Sequence, residues 1–322
     1  MIKNIIIDTD PGVDDAAALL LALASPKLKV RAITTVYGNG NIENTTQNAL
    51  TILNIANRRD IPVYPGVNKP LIRRVRYGTR VHGINAFGGV VYDPPSISPQ
   101  PTHAALGIIK HVKESPDPVT IVALGPQTNV ALALSLDHSI REKVKEIVVM
   151  GGAIFTYGNA SAVASANFWY DPEAANIVYR SGAKIVQVGL DVCRKVVFSK
   201  WDFEKLQKAN LPVTNMLTKI TPFLASCYQE YSKDYGVDDF VSYNDVPAIS
   251  YLVNSDLFEI RDYFVQISTH DEITRGQTVA DIAGHLDQPA NVKVLFNVDA
   301  VSLKDLFIDR LINFPTGQET IL

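Results

Sequence analysis

The chain has 322 residues, 47% of them apolar and 20% charged, with a net charge of -3. That size and apolar content allow a large buried core, and the near-balanced charge excludes the electrostatic bias expected of a nucleic-acid or membrane-surface binder. Cys193 and Cys227 are the only cysteines, which excludes a disulfide framework, and no apolar run approaches the roughly 18 residues of a spanning helix. With no basic, cleavable leader and no low-complexity linker, the chain reads as one domain over residues 1–322 in a reducing cytoplasm.

The first element is an apolar strand, Ile5-Ile6-Ile7, that runs into Asp8-Thr9-Asp10-Pro11-Gly12-Val13-Asp14-Asp15 and then a helix over about 14–24. At a spacing of two, Asp8 and Asp10 leave the strand on one face, while Asp14 and Asp15 open the helix. A helix N-terminus offers only about half a unit charge, too little to hold such a cluster ionised. A cation is therefore the expected partner. The run supplies oxygen and no thiolate or imidazole, which suits calcium or magnesium, and calcium's preference for about six to eight oxygens suits a site that also takes hydroxyls. The plainer alternative is that Asp14 and Asp15 cap the helix and Asp8 is tied to backbone.

Beyond it the chain alternates strand and helix: strand 29–36, helix 42–58, strand 119–124, helix 129–136, strand 146–150, helix 172–181 and strand 184–189. Alternation implies parallel strands with right-handed crossovers, and strands apolar throughout imply helices on both faces. The strands end in polar turns, Tyr37-Gly38-Asn39-Gly40-Asn41, Gly125-Pro126-Gln127-Thr128-Asn129 and Gly151-Gly152, which in an open parallel sheet share one edge with the aspartates. Residues 65–102, with His82-Gly83, are too long for a bare connection and read as a lid, small hairpin or partner-binding flap. Residues 190–245 read as mainly helical and carry Tyr228, Tyr231, Tyr235 and Tyr243 ahead of Asn244-Asp245. From Glu259 the tail alternates as strands, with a turn at Thr274-Arg275-Gly276-Gln277, before a helix near 302–312. The expected fold is thus an α/β open, mostly parallel sheet flanked by helices, with a mainly helical insertion and a small C-terminal β-rich segment.

The aspartate run, together with Thr34-Thr35-Val36-Tyr37-Gly38-Asn39, Leu124-Gly125-Pro126-Gln127-Thr128-Asn129 and Met150-Gly151-Gly152, resembles the inosine-uridine nucleoside hydrolase family over most of the chain. The resemblance implies a Rossmann-like enzyme, a homodimer or homotetramer, that uses Ca2+ to hydrolyse the N-glycosidic bond of ribonucleosides. Carried onto this sequence, it makes Asp10, Asp15, the Leu124 carbonyl and Asp245 the metal ligands. Asp10 would also take the proton of the metal-bound water. Asp14, Asn39 and Asn167 would hold the ribose 2′- and 3′-hydroxyls, Asn159 the 5′-hydroxyl, with Met150 beside the sugar. Asp8 is expected to support the site from behind.

Three departures from the family pattern leave leaving-group chemistry and base preference open. Ala164-Ser165-Ala166 puts a hydroxyl, Ser165, where many members have Glu. Asn244 stands where many have His, and it cannot protonate a leaving base. The loop after His82 reads Gly83-Ile84-Asn85-Ala86-Phe87-Gly88-Gly89 and lacks the usual acidic pattern. His82 is the histidine placed to act as a general acid, with an exposed or backbone-bonded loop residue as the alternative. Phe87, Tyr228 and Tyr231 are candidates for stacking on the base, and Trp169 and Tyr170 follow Asn167 closely enough to approach the sugar. A haloacid-dehalogenase-type phosphatase also begins with Asp-x-Asp but needs elements absent here; a non-catalytic nucleoside- or ribose-binding protein on the same fold is the second reading.

Overall fold

A computed structural model of the chain describes residues 2–232 and 241–315, the side chains of 229–232 excepted. The chain opens with β1 (Lys3–Thr9), α1 (Val13–Ala24), β2 (Leu28–Thr35), α2 (Ile42–Ile55) and β3 (Val63–Pro65). The long excursion then holds a single helical turn, α3 (Thr79–His82), before α4 (Ala104–Glu114). Alternation resumes with β4 (Val119–Ala123), α5 (Thr128–Leu136), β5 (Val144–Met150), α6 (Ala166–Tyr170), α7 (Pro172–Tyr179) and β6 (Ile185–Val188). The helical insertion comprises α8 (Leu190–Cys193), α9 (Lys200–Ala209) and α10 (Pro212–Ser232), followed by α11 (Val246–Val253). The tail carries β7 (Phe258–Tyr263), β8 (Val265–Ile267), β9 (Thr278–Ala280), β10 (Val292–Val298) and α12 (Ala300–Ile312).

Eight strands form one sheet in the order β3-β2-β1-β4-β5-β6-β10-β7, parallel except for β7, which runs antiparallel to β10. The chain builds outward from β1 through β2 to β3, then returns to the other side of β1 and builds through β4, β5 and β6. Between β1 and β4 the following segments leave in opposite directions, and this is where an open α/β sheet forms a crevice. Asp8 is in register with Thr34 of β2 and Ala123 of β4, so Asp10 emerges at that switch point.

Alternation along β1 divides the core. Ile5 and Ile7 join the layer under α1, α2, α10, α11 and α12, while Ile6 joins the layer under α4, α5 and α7. Every residue of α1 is buried, because its Val-Asp-Asp-Ala-Ala-Ala-Leu-Leu-Leu-Ala-Leu-Ala sequence is apolar all round after the two acids and helices enclose it. Among the described residues no helix is long and apolar enough to cross a membrane.

The observed boundaries of the expected elements differ by a few residues at most, while three features go beyond the sequence reading. β3 and α4 are additional elements, the latter capped by His103, whose ring nitrogen accepts from the Ala105 N–H, and showing an apolar stripe at Ala104, Ala105, Ile108 and Val112. The 65–102 excursion contains α3 and otherwise irregular backbone rather than a hairpin. In the tail only β8 and β9 form a separate antiparallel pair; β7 and β10 extend the main sheet. The predicted turn is present, with the Gln277 N–H donating to the Thr274 carbonyl at 2.8 Å.

Gly107 lies inside α4 against β3, where an added Cβ would stand 2.7 Å from Cγ of Tyr64. That ring is pinned by its hydroxyl on Nε2 of His111, at 3.1 Å, so it has little room to yield. A glycine-to-alanine change inside a helix ordinarily stabilises by about 0.5–1 kcal/mol. Here overpacking reverses the sign, and Gly107→Ala is expected to cost about 1–3 kcal/mol in urea unfolding.

Candidate active site

Asp8, the first acid of the cluster, lies below the crevice. It is fully buried and accepts from the Thr34 hydroxyl at 2.6 Å and the Asn129 amide at 2.9 Å. Burial nevertheless pushes its carboxyl up to about 7. Asn129 also donates to the Thr35 carbonyl and accepts from the Val67 N–H, so this pair fastens β1, β2, α5 and the start of the excursion together.

Above it, Asp10, Asp14, Asp15 and Asp245 are all buried. Asp15 folds back over the turn as the far half of the α1 cap, accepting from the Gly12 N–H at 3.0 Å, from the Thr9 hydroxyl and from the Asn39 amide at 2.8 Å. Asp10 accepts from the Asn39 N–H at 2.7 Å. Gly38 and Gly125 close on its two sides, where a Cβ would come within 2.0 and 2.5 Å of the Asp10 oxygens, so backbone alone can approach that closely. Asp245 reaches the same place from the start of α11. Oxygens of Asp14, Asp15 and Asp245 lie within 4.8 Å of one another, with Asp10 held beside them.

Burial and mutual repulsion set the electrostatics. Asp10 is raised well above the usual carboxylate range by burial and then by the charge of Asp15. Asp245 is raised by burial and by Asp14, Asp15 and Asp10, Asp15 by burial and Asp14, and Asp14 to about 6 by burial. Among the described residues no lysine or arginine pairs with any of the four; the nearest basic group is His82, whose Nδ1 is 3.7 Å from Asp14. Burial pushes that imidazole down to about 4, so it brings no charge near neutrality. An all-oxygen, buried donor set without a counter-charge fits a hard divalent cation.

The cluster forms the floor of a cavity of about 850 Å³, which also receives Asn39, His82, Leu124, Met150, Asn159, Asn167, Tyr228 and Asn244. The Asn167 amide donates to the carbonyls of Leu124 and Met150, at 2.5 and 3.1 Å, and so ties the ends of β4 and β5. Asn159 accepts from the Ala166 N–H at 2.8 Å, which fixes it to the helix that carries Asn167. The Asn244 amide donates to the Tyr228 hydroxyl at 3.1 Å. His82 accepts from the Val13 N–H at 3.3 Å through Nδ1, which places its proton on Nε2.

Two expected residues are elsewhere. Phe87 is 1% exposed and packs edge-on to Tyr92 in the core, because the Asn85 side chain curls the loop by accepting from the Phe87 and Gly89 N–H groups. Ser165 is also buried, and its hydroxyl accepts from the Gly152 N–H at 2.7 Å, bracing the turn after β5; Ala166 lines the cavity in its place. The Tyr231 side chain and all of Tyr235 lie outside the described residues. Trp169 and Tyr170 do line the cavity, as do Arg76, Tyr157 and Arg194, which sequence reasoning missed. Arg76 and Tyr157 sit in irregular segments and Arg194 at the end of the four-residue α8, too short to show a periodicity; only the folded topology gives them away.

Comparison with known proteins places this geometry among relatives. Residues 5–305 match the family described as inosine-uridine preferring nucleoside hydrolase. The chain is 39% identical over 316 residues to the pyrimidine-specific ribonucleoside hydrolase RihA of Photobacterium profundum, covering 98% of this chain and all (100%) of the relative. It is likewise 39% identical to the pyrimidine-specific ribonucleoside hydrolase RihA of Escherichia coli, over 97% of this chain and 99% of that one. Among solved structures, a plant nucleoside hydrolase superposes with a TM-score of 0.89 at 34% identity, covering 97% of this chain and 99% of its own. A purine-preferring ribonucleoside hydrolase from Gardnerella vaginalis gives 0.91 at 29% identity, with the same 97% and 99% coverage.

The uncompensated acids make a stability prediction. Asp8 at about 7, and Asp10 and Asp245 well above the usual range, keep protons in the folded state that the unfolded chain releases near pH ~3.9. The folded state therefore binds more protons, and stability falls as pH rises. In chelator, the melting temperature is expected to drop between about pH 6.5 and 8, above the ordinary value of about 6.5 at which His82, the one buried histidine among the described residues, titrates in the unfolded chain. Added Ca2+ should reverse the drop, and Asp245→Asn should raise the chelated protein's melting temperature while weakening the response to Ca2+.

Proposed function

The chain belongs to the inosine-uridine preferring nucleoside hydrolase family, and from that premise we propose that it hydrolyses the N-glycosidic bond of ribonucleosides to ribose and free base using Ca2+, with Asp10 as the base. The observation that carries the proposal is the set of four buried carboxylates, without a basic partner among the described residues, at the switch point of the sheet. Asp10, Asp15, Asp245 and the Leu124 carbonyl would hold the ion. The Asn167 amide already on that carbonyl leaves it a second lone pair. A bound Ca2+ supplies a fixed positive charge that keeps the acids ionised and polarises oxygen ligands, and its preference for many oxygens suits this donor set better than the stricter octahedron of Mg2+.

In the reaction a water adds to C1′ as the C1′–N bond breaks. Asp10 takes the water's proton, and a proton must reach the departing base. As the bond stretches, the sugar gains oxocarbenium character, so the surrounding carboxylates favour the transition state over the neutral substrate. Asp14, Asn39 and Asn167 would bind the 2′- and 3′-hydroxyls. Asn159, whose oxygen is committed to Ala166, has its amide N–H groups to offer the 5′-hydroxyl, beside Met150. At the base end Tyr228 and Trp169 offer aromatic surface, with Asn244 orienting Tyr228. His82, neutral and protonated on Nε2, is placed to donate a hydrogen bond to the base rather than to carry a full positive charge.

Three experiments test the assignment. Asp10→Asn should lower kcat by about 10²–10⁴-fold while nucleoside affinity, measured by calorimetry, is kept. Wild-type turnover should stop in chelator and with 2′-deoxynucleosides; equal turnover of ribo- and 2′-deoxynucleosides would refute the diol-binding site. His82→Ala should slow nucleosides by about 10²-fold while 4-nitrophenyl β-D-ribofuranoside, whose leaving group needs no help, stays within about threefold. An unchanged ratio between the two substrates would rule out a role for His82 at the leaving base.

A further inference from the structure

The four-residue helix α8, directly after β6, grips a whole wall of the crevice. Asp191, on α8, is 6% exposed and accepts from the N–H groups of Ile154 and Phe155, at 3.2 and 2.6 Å. Three residues on, Arg194 caps the same helix and donates through Nη1 to the Thr156 hydroxyl and the Tyr157 carbonyl, at 2.9 and 2.5 Å, and through Nη2 to the Gly158 carbonyl at 3.0 Å. Its guanidinium also lies 3.6 Å from the centre of the Tyr157 ring. Each residue from 154 to 158 is therefore held by one of two side chains at a single helical turn, the carboxylate taking amide protons and the guanidinium serving one hydroxyl and two carbonyls.

Apolar contacts hold this segment at its start, where Ile154 packs against the core and Phe155 lies edge-on to Tyr263, but Phe155 and Tyr157 remain 50% and 52% exposed. The polar grip fixes the rest of it. Immediately beyond, the chain turns back on itself, with the Gly158 N–H on the Ala162 carbonyl and the Asn159 N–H on the Ala164 carbonyl, both at 3.1 Å. The first residue past the grip is thus Asn159, which lines the cavity. We propose that Asp191 and Arg194 are positioning residues that fix the 154–158 segment and through it the point at which Asn159 meets the 5′ end of the ribose; the second half of this rests on the assignment of Asn159 above. Neither side chain needs to touch the reacting atoms. Arg194 in particular directs its guanidinium at the Thr156 hydroxyl, two backbone carbonyls and the Tyr157 face.

Hydrogen exchange and paired kinetics test the two halves separately. Arg194→Met should speed amide exchange across 154–160 relative to α1 and α11. It should also raise KM for 4-nitrophenyl β-D-ribofuranoside by about ten- to a hundredfold with kcat within about threefold, and leave KM for the 5-deoxy counterpart nearly unchanged. Arg194→Lys, a point charge that reaches fewer acceptors, should lie between, and Asp191→Asn should loosen the same segment to a smaller extent. Unchanged exchange in Arg194→Met, or faster exchange with equal KM effects on both ribosides, would overturn the positioning role. Asn159→Ala, run alongside, isolates the other premise: if it leaves the preference for the 5-hydroxylated riboside intact, the assignment of Asn159 fails, whereas loosened exchange in Arg194→Met still supports the grip.

Discussion

Negative charge without an internal counter-charge, confined to the gap between β1 and β4, is the constraint to which the rest of this structure answers. Hydrogen bonds from Thr9, the Gly12 N–H and Asn39 satisfy the oxygens of Asp15 and Asp10, yet none of them brings net charge. Desolvation therefore continues to favour the protonated acids, and a protonated carboxyl cannot serve as a base. The one way to keep these groups buried, ionised and crowded is to place a cation among them. The energetic liability of the cluster in isolation and its usefulness with an ion are the same property.

Much of the fold exists to make that crowding tolerable. α1 is enclosed on all sides, so its first turn cannot swing outward to relieve the repulsion between Asp14 and its neighbours. Gly38 and Gly125 let two backbone segments close on Asp10, which fixes its carboxylate without a competing side chain. Asp8, one layer down, is handled differently: Thr34 and Asn129 both donate to its Oδ1 while its Oδ2 is buried without a partner, and Asn129 extends the network to β2 and the excursion. Asp8 thus ties strands and loops together below the crevice, while Asp10, Asp14 and Asp245 line the cavity above it.

The acid run was legible in the sequence because it is contiguous: a strand, a Pro-Gly turn and a helix start fix the relative directions of Asp8, Asp10, Asp14 and Asp15 before any tertiary contact is known. The loops after β2, β4 and β5 were legible for a related reason, since parallel strands deliver their ends to one edge. What periodicity cannot report is how an irregular segment curls. Phe87 and Ser165 were expected at the substrate, yet one Asn side chain turns the first into the core and one backbone N–H captures the second. The helix α4 was obscured by its proline-rich approach and an internal glycine, although its apolar spacing is regular. Arg194 gave no signal at all, because its partners lie 36 to 38 residues away, on a loop whose path only the folded chain defines.

The two ends of the cavity are built in different ways, and this bears on recognition. The end proposed for the sugar is lined by residues anchored to strand ends and short helices, with Asn167 bridging β4 and β5, Asn159 fixed to α6 and the 154–158 segment gripped from α8. A constant pentose suits such rigid placement, since a donor held by backbone loses little freedom when the hydroxyl arrives. The base end is different: His82 closes a single helical turn within an otherwise irregular excursion, and Tyr228 stands near the end of α10. Substitutions there disturb no strand register, although His82 is coupled to the acids through its 3.7 Å approach to Asp14. Asn244 illustrates the separation: it sits next to Asp245, yet its side-chain amide donates to the Tyr228 hydroxyl, on the side of the cavity formed by α10.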